Sequence, residues 1–311
     1  MSGDIIVYVK IAIIGASGFV GRNLLHHLLE HTDHNVQALA PDPENIIIKP
    51  EHRDRVEVCQ CDIFNYDQMR TGFEGVDVAY FLVHLMADRG GFYDREAKAA
   101  DITGRALSDA GVKRVIYLSG LGSDKETLSQ HLASRHNTGE ILSKHVPCLI
   151  EFRASMVIAK GSISFEIVRH LDRKLPVMIL PRWSSSKTQP IALPDALAYL
   201  TAAIEIPLQK HEIVEIGGLE AMSYVTFLKR YAAFLGRHPL IIRIPIVPEW
   251  MAGWWLYLVM PKKLARVGQH MVSSFRNEMV VTNNRAQELF PNIKPRAVEE
   301  AFDCCELPQE F

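Results

Sequence analysis

The chain has 311 residues, 48% of them hydrophobic, with a formal net charge of −2 and a pI of about 6.7. That is enough apolar side chain for one large domain or two modest ones. The near-neutral balance argues against nucleic acid as a partner. The apolar run at 5–14 is broken by Lys10 and has no cleavage site after it, and the run at 251–260 is shorter than the roughly 20 residues of a membrane span, so neither a signal peptide nor a transmembrane segment is expected.

Taken in chain order, residues 7–14 read as a buried, β-branched strand ending at Gly15. Residues 21–29 read as a helix with Val20, Leu24, Leu25, Leu28 and Leu29 on one face. Strands follow at 36–39 and 56–61, a short helix at 65–73, and a nearly continuous apolar strand at 76–83. A helix over 96–110 is stopped by Gly111, and 115–118 is a fifth strand. Residues 136–142 look helical and 147–152 form a sixth strand. Strands alternating with helices imply right-handed crossovers and a parallel sheet, and runs apolar on both faces fit strands covered from both sides. The expected fold is α/β: a Rossmann doubly wound parallel sheet over residues 1–160, with a smaller, mixed substrate or lid subdomain over 161–311 packed against it. In that second part, helices are expected at 164–171, 193–204, 224–235, 250–260 and 263–271, and strands at 212–216 and 240–246. No repeat, low-complexity tract or long linker interrupts the chain.

The chemistry begins at the turn Gly15-Ala16-Ser17-Gly18-Phe19-Val20-Gly21. Gly15 permits a tight strand-to-helix turn, Gly18 lets the backbone approach a diphosphate, and Gly21 lets the helix pack closely on the strand. The helix N-terminus adds unpaired N–H groups and partial positive charge, and Ser17 adds a hydroxyl. A glycine triple between a strand and a helix of a βαβ unit points to a dinucleotide. Asp62, at the end of the third strand, is placed to accept a hydrogen bond from an adenine amino group.

These residues lead to a family. The Gly-x-x-Gly-x-x-Gly turn, Cys61-Asp62-Ile63, Tyr80-Phe81-Leu82-Val83-His84, Tyr117-Leu118-Ser119-Gly120-Leu121-Gly122 and Phe152-Arg153-Ala154-Ser155 resemble the atypical short-chain dehydrogenase/reductases, nearest to the NmrA-like, NAD(P)H-binding, epimerase-like branch. The resemblance runs on through Thr188-Gln189-Pro190 and Glu215-Ile216-Gly217-Gly218 and weakens after about Met260. It implies a nicotinamide cofactor, NAD or NADP. Gly15, Ala16, Ser17, Gly18, Phe19, Val20 and Gly21 would lie along its pyrophosphate. Asp62 and Ile63 would flank the adenine, Leu82 and Val83 its ribose side. Leu118 and Ser119 would approach the nicotinamide ribose, and Ala154 and Ser155 the carboxamide.

Two departures from the family pattern matter. After the second strand the segment is Leu39-Ala40-Pro41-Asp42, with neither the usual arginine for a 2′-phosphate nor the usual acid at the strand end; Asp42 can reach a ribose diol. The choice between NAD and NADP therefore stays open. In the family's catalytic helix, Tyr-x-x-x-Lys places a proton donor and a cation on one face. Here His131 takes the Tyr position and Arg135 the Lys position. A His131/Arg135 pair with Ser119 as polariser is a candidate catalytic set. Two functions follow: an oxidoreductase or isomerase acting on a small organic molecule, or a non-catalytic dinucleotide-dependent sensor or assembly factor.

Other residues complete the expectations. His84, Arg153 and Gln189 are candidates for the substrate pocket. Asp195 reads as a helix N-cap. His26, His27, His31 and His34 read as a solvated face and not a metal site, since no further ligands complete a coordination set. Trp250, Trp254 and Trp255 form an aromatic patch, either packed or a protein or membrane-surface contact. Five cysteines without a framework (Cys59, Cys61, Cys148, Cys304 and Cys305) suggest reduced thiols and a cytoplasmic protein.

Overall fold

A computed structural model describes residues 9–85, 91–123, 127–208, 210–244, 256–257 and 260–306. Strands β1 (Lys10–Ile14), β2 (Asn35–Ala40), β3 (Val56–Gln60), β4 (Val78–Phe81), β5 (Arg114–Gly120), β6 (Leu149–Ala154) and β11 (Glu212–Ile216) form one seven-stranded sheet in the order β11-β6-β5-β4-β1-β2-β3. Every pairing in it is parallel. Parallel neighbours need crossovers. These are supplied by α1 (Phe19–His31), α2 (Tyr66–Thr71), α3 (Phe92–Asp109), α4 (Gln130–His145) and, before β11, α6 (Leu193–Ala202).

The two-sided apolar strands explain the layering. Ile11 and Ile13 face a core with Leu24, Leu25 and Leu28 of α1, while Ala12 and Ile14 face one with Met69, Phe73 and Leu107 from the α2–α3 side. The doubly wound domain expected from periodicity is thus present. The sheet, however, reaches past residue 160: β11, read as part of the second subdomain, pairs with β6 along Glu212↔Ile150 to Ile216↔Ala154. Arg114, at the start of β5, locks this extension by donating to the carbonyls of Ala203, Ile204, Ile206 and Leu208.

The remaining elements lie outside the seven-stranded sheet. They are α5 (Ile163–Lys174), β8 (Val177–Pro181), α7 (Tyr224–Phe234), β13 (Leu240–Ile244), α8 (Lys262–Met271), α9 (Arg285–Leu289) and α10 (Val298–Glu306). Two-residue strands β7 (Val157–Ile158), β9 (Lys187–Thr188), β10 (Ile191–Ala192) and β12 (Met222–Ser223) pair as β7–β10 and β9–β12. Their core is aromatic: Phe165, Phe227, Tyr231 and Phe302 meet with ring centroids 5.0–6.3 Å apart. Trp250, Trp254 and Trp255 lie outside the described residues.

Several boundaries moved. Helix α4 begins six residues before the expected start, because Ser129 caps it by accepting from the Leu132 amide. Asp195 is no N-cap; it sits inside α6 and holds both the Arg296 amide and its guanidinium. His26 and His34 are buried instead of solvated, with 7% and 8% exposure. Among the described residues no helix is long and apolar enough to cross a membrane, and no cluster of His, Cys, Asp and Glu is arranged to hold a metal.

Candidate functional site

The glycine turn is built for a closely approaching ligand. Gly15 adopts φ +87°, which an L side chain rarely tolerates, and a Cβ there would press on the Leu82 carbonyl. At Gly21 a Cβ would stand 2.2 Å from Gly15 O, so the absence of a side chain is what lets α1 start beneath β1. Gly18 is the N-cap and offers no side-chain acceptor to the first-turn amides. A cradle made of backbone at a helix N-terminus suits a diphosphate. Ala16, Ser17, Phe19 and Val20 lie in this turn, and Ala16 N and Gly15 N both donate to Leu39 O, fixing the turn against β2.

The flanking positions behave less uniformly. Asp62 follows β3 at the expected sheet edge, but its Oδ1 accepts from Phe64 N at 2.9 Å, which shapes its own loop. Ile63 packs partly against the α2–α3 core. Asp42 is exposed and caps the turn 43–45. Leu82, Val83, Leu118 and Ala154 sit at the C-terminal ends of β4, β5 and β6, with Ser155 just beyond. Ser155 Oγ donates to Gln189 O at 2.7 Å.

Two substrate-pocket expectations become structural. Arg153 donates from Nε to Glu151 Oε1 at 2.8 Å, with side-chain exposures of 7% and 2%; the pair is sealed beneath α4 where Gly139 leaves room for the Glu151 carboxylate. Gln189 is a brace, its amide nitrogen donating to Gly218 O and its oxygen accepting from Val281 N.

The catalytic-helix residues do converge. Arg135 reaches the ends of two strands, donating to Val83 O at 3.2 Å and to Leu118 O, with its guanidinium 4.8 Å from the Tyr117 ring centroid. Its fork is therefore engaged by backbone carbonyls and is not aimed at a ribose. Ser119 is 5% exposed, and its hydroxyl is buried rather than presented to solvent.

His84 and His131 meet with their Nε2 atoms 3.1 Å apart. Behind His84 stands Glu96 of α3: its Oε1 lies 2.6 Å from His84 Nδ1 and accepts from Leu85 N at 3.0 Å, and its Oε2 accepts from Ser134 Oγ. Beyond His131, Nδ1 lies 3.2 Å from Ser274 Oγ, which lies 2.9 Å from Ser129 Oγ. Asn277 ties this end down, accepting from Ser129 N and donating to Thr127 O.

Electrostatics act on the Glu96–His84 end of this chain. Burial opposes the charge on Glu96, but the hydrogen bond and charge of His84, the Arg135 charge and the Ser134 hydroxyl outweigh it, so the carboxyl is held down at about 2. Desolvation pulls His84 below its ordinary 6.5, with Arg135 adding to that and Glu96 opposing it. At neutral pH Glu96 is thus anionic and His84 neutral, with its proton on Nδ1 toward Glu96. His84 Nε2 then accepts, His131 Nε2 donates, and His131 Nδ1 accepts from Ser274. The wire runs in one direction, toward Glu96.

The sequence reading paired His131 with Arg135 and named His84 separately, for the substrate pocket; it did not join His84 to His131, and it passed over Glu96, Ser129, Ser134 and Ser274. One signal was present: Glu96 falls on the buried stripe of α3 with Phe92, Ala99, Ala100 and Thr103, where a carboxylate needs a partner.

Comparison with known proteins bears on the fold and the cofactor. Residues 15–157 match the family model described as NAD(P)H-binding. The auxiliary protein GraX of Staphylococcus aureus is 30% identical over 128 residues, 39% of each chain, so this chain spans about two fifths of that relative's length. A ceramide reductase of Caulobacter vibrioides is 27% identical over 241 residues, 76% of this chain and 73% of that one. Triphenylmethane reductase from Citrobacter sp., in complex with NADP(H), superposes with a TM-score of 0.71 at 14% identity, covering 94% of this chain and 99% of that one. The resemblance to atypical short-chain dehydrogenase/reductases is borne out by these matches.

Proposed function

We propose that the protein, whose residues 15–157 match a family model described as NAD(P)H-binding, is an NAD(P)-dependent oxidoreductase of the atypical short-chain dehydrogenase/reductase type in which the His84–His131 pair replaces the usual tyrosine. The observation that carries this is the 3.1 Å contact between the two imidazoles, backed by Glu96, at the strand ends beside the glycine cradle. When bound, the nicotinamide supplies or accepts a hydride. The cradle at Gly15, Gly18 and Gly21 holds the diphosphate, and the ends of β4, β5 and β6 orient the rest.

The His84–His131 pair is the proton-exchanging unit and Glu96 its positioning residue; both His131 nitrogens are engaged, by His84 Nε2 and Ser274 Oγ, so a substrate oxygen must displace one of those contacts. For reduction, an imidazolium must give its proton to the developing alkoxide. Glu96, an anion one imidazole away, stabilises that extra proton on either ring, and the ring pair can pass it through the Nε2–Nε2 contact. Arg135 is a positioning residue: it ties α4 to Val83 O and Leu118 O, setting where His131 stands. Its charge also depresses the His84 pKa, which keeps His84 neutral at rest.

The substrate is an organic molecule bearing a carbonyl or a secondary hydroxyl. Similarity to a ceramide reductase over most of both chains favours an apolar, lipid-like one. The test is NADH and NADPH oxidation against a panel of long-chain ketones, quinones and aldehydes, comparing wild type with His131→Phe and His84→Gln. Turnover that collapses in both variants while cofactor affinity persists supports the reading. Cofactor binding without turnover on any panel member refutes it.

A further inference from the structure

Strands β8 and β13 form a parallel two-stranded ribbon in the register Leu240↔Val177, Ile242↔Ile179 and Ile244↔Pro181. Strand side chains alternate between faces. Met178 and Leu180 point into the aromatic core, with Ile241 packed against it. The opposite face carries Val177, Ile179, Leu240 and Ile242, exposed by 41%, 46%, 60% and 45%. A solvated ribbon face ordinarily carries polar residues; four large apolar side chains paired in register mark a contact surface.

The charge around this face is one-sided. Arg173 and Lys174, both exposed, end α5 just before β8, and Arg237 reaches back to the Arg173 carbonyl at 3.1 Å, so the start of the ribbon is ringed with cations. Asp172 of α5 is fully buried, its Oδ2 3.7 Å from Arg237 Nε. Arg243, exposed and in register with Leu180, lies on the other face of the ribbon and adds no charge to this one. Helix α8, which packs on α5 through Ala265 against Ile167, adds exposed Lys262 and Arg266. From 237 to 276 the sequence holds six Lys and Arg against one carboxylate, Glu249, in a chain whose net charge is −2.

We propose that the β8–β13 face docks on an anionic lipid bilayer, inserting Val177, Ile179, Leu240 and Ile242 at the headgroup level with the surrounding cations on lipid phosphates. Exposed aliphatic side chains gain by entering the acyl boundary, and each nearby Lys or Arg adds attraction to an anionic leaflet. Charge decides against a second copy: an isologous contact would set the same cations against each other. This assignment stands apart from the reading of the dinucleotide site.

The experiment is vesicle co-sedimentation of the full-length protein with phosphatidylcholine vesicles and with 3:1 phosphatidylcholine:phosphatidylglycerol vesicles. Binding to the anionic vesicles should be at least tenfold tighter and should weaken steeply between about 50 and 500 mM salt, as screening requires. Ile179→Asp with Ile242→Asp, and separately Arg173→Glu with Lys174→Glu, should each abolish it while thermal stability and NADPH affinity stay at wild-type values. No sedimentation with either vesicle, or sedimentation unchanged in both variants, overturns the proposal. So does a wild-type dimer that the double-aspartate variant converts to monomer, which would assign the face to a second copy.

Discussion

Gly21→Ala tests whether α1 must lie directly against the end of β1. An added Cβ would stand 2.2 Å from Gly15 O and 2.9 Å from Ala16 Cα. Both are backbone atoms, so no rotamer change relieves the clash; the turn and helix must part by about 1 Å to reach van der Waals separation. Overpacking of this kind costs about 1–3 kcal/mol, a fall in Tm of roughly 2–5 °C for a chain of this size. Parting the turn also moves the first-turn amides off the diphosphate, so nucleotide affinity should fall by about tenfold or more. Gly18→Ala is the control. Its Cβ would meet only Gly15 O, at 3.1 Å, so stability should stay near wild type while affinity falls, because the methyl enters the side from which phosphate approaches. Thermal unfolding without nucleotide, followed by calorimetric titration with NADH and NADPH, separates the two effects. A Gly21→Ala protein with wild-type Tm and wild-type affinity would refute the close-packing argument.

Further outcomes follow from the same geometry. Reduction should speed up as pH falls through and below 6.5, because the imidazole pair must carry a proton and its member His84 protonates only below its ordinary value; oxidation should show the opposite slope, read from kcat/KM between pH 5 and 8. Stability should decline over the same acid range and further toward pH 2. His84 and Glu96 both have lowered folded-state pKa values, so the stability they contribute is present above the unfolded values and lost as pH falls through the folded ones; urea midpoints between pH 3 and 8 check this. Arg153→Ala should destabilise by about 3–5 kcal/mol, since it strands the buried Glu151 charge. Replacing both members by apolar residues should recover much of the loss, with nucleotide affinity unchanged in the double variant; a loss of substrate affinity at wild-type stability would return Arg153 to the pocket. Asp42→Arg should move nucleotide preference toward NADPH by about tenfold, measured as a Kd ratio, because an acid two residues past β2 repels a 2′-phosphate and a guanidinium pairs with it.

Periodicity and punctuation determined the sheet. Apolar runs on both strand faces required helices above and below, and the glycines at 15, 18 and 21 placed the dinucleotide turn without any tertiary information. These are local rules, read within a few residues. The family resemblance then singled out His131 and Arg135 as a pair with Ser119, and His84 apart from them. It did not reveal that Arg135 is spent on strand-end carbonyls, that Arg153 pairs with Glu151, or that Gln189 is a brace. A side chain's role depends on which partner reaches it first, and those partners come from distant turns of the chain.

The site itself was a tertiary decision. His84 and His131 are 47 residues apart, and His131 and Ser274 are 143 apart. Their meeting depends on β4 and β5 being adjacent, on α3 packing against α4, and on the C-terminal segment folding back over the strand ends. The seventh strand shows the same limit: residues 212–216 read as a strand, yet only the exposed edge of β6 decided that they complete the sheet. Sequence specifies which surfaces are apolar and where the chain turns. Which charged groups are brought out of water together, and so which protons can move, is settled only when the layers close.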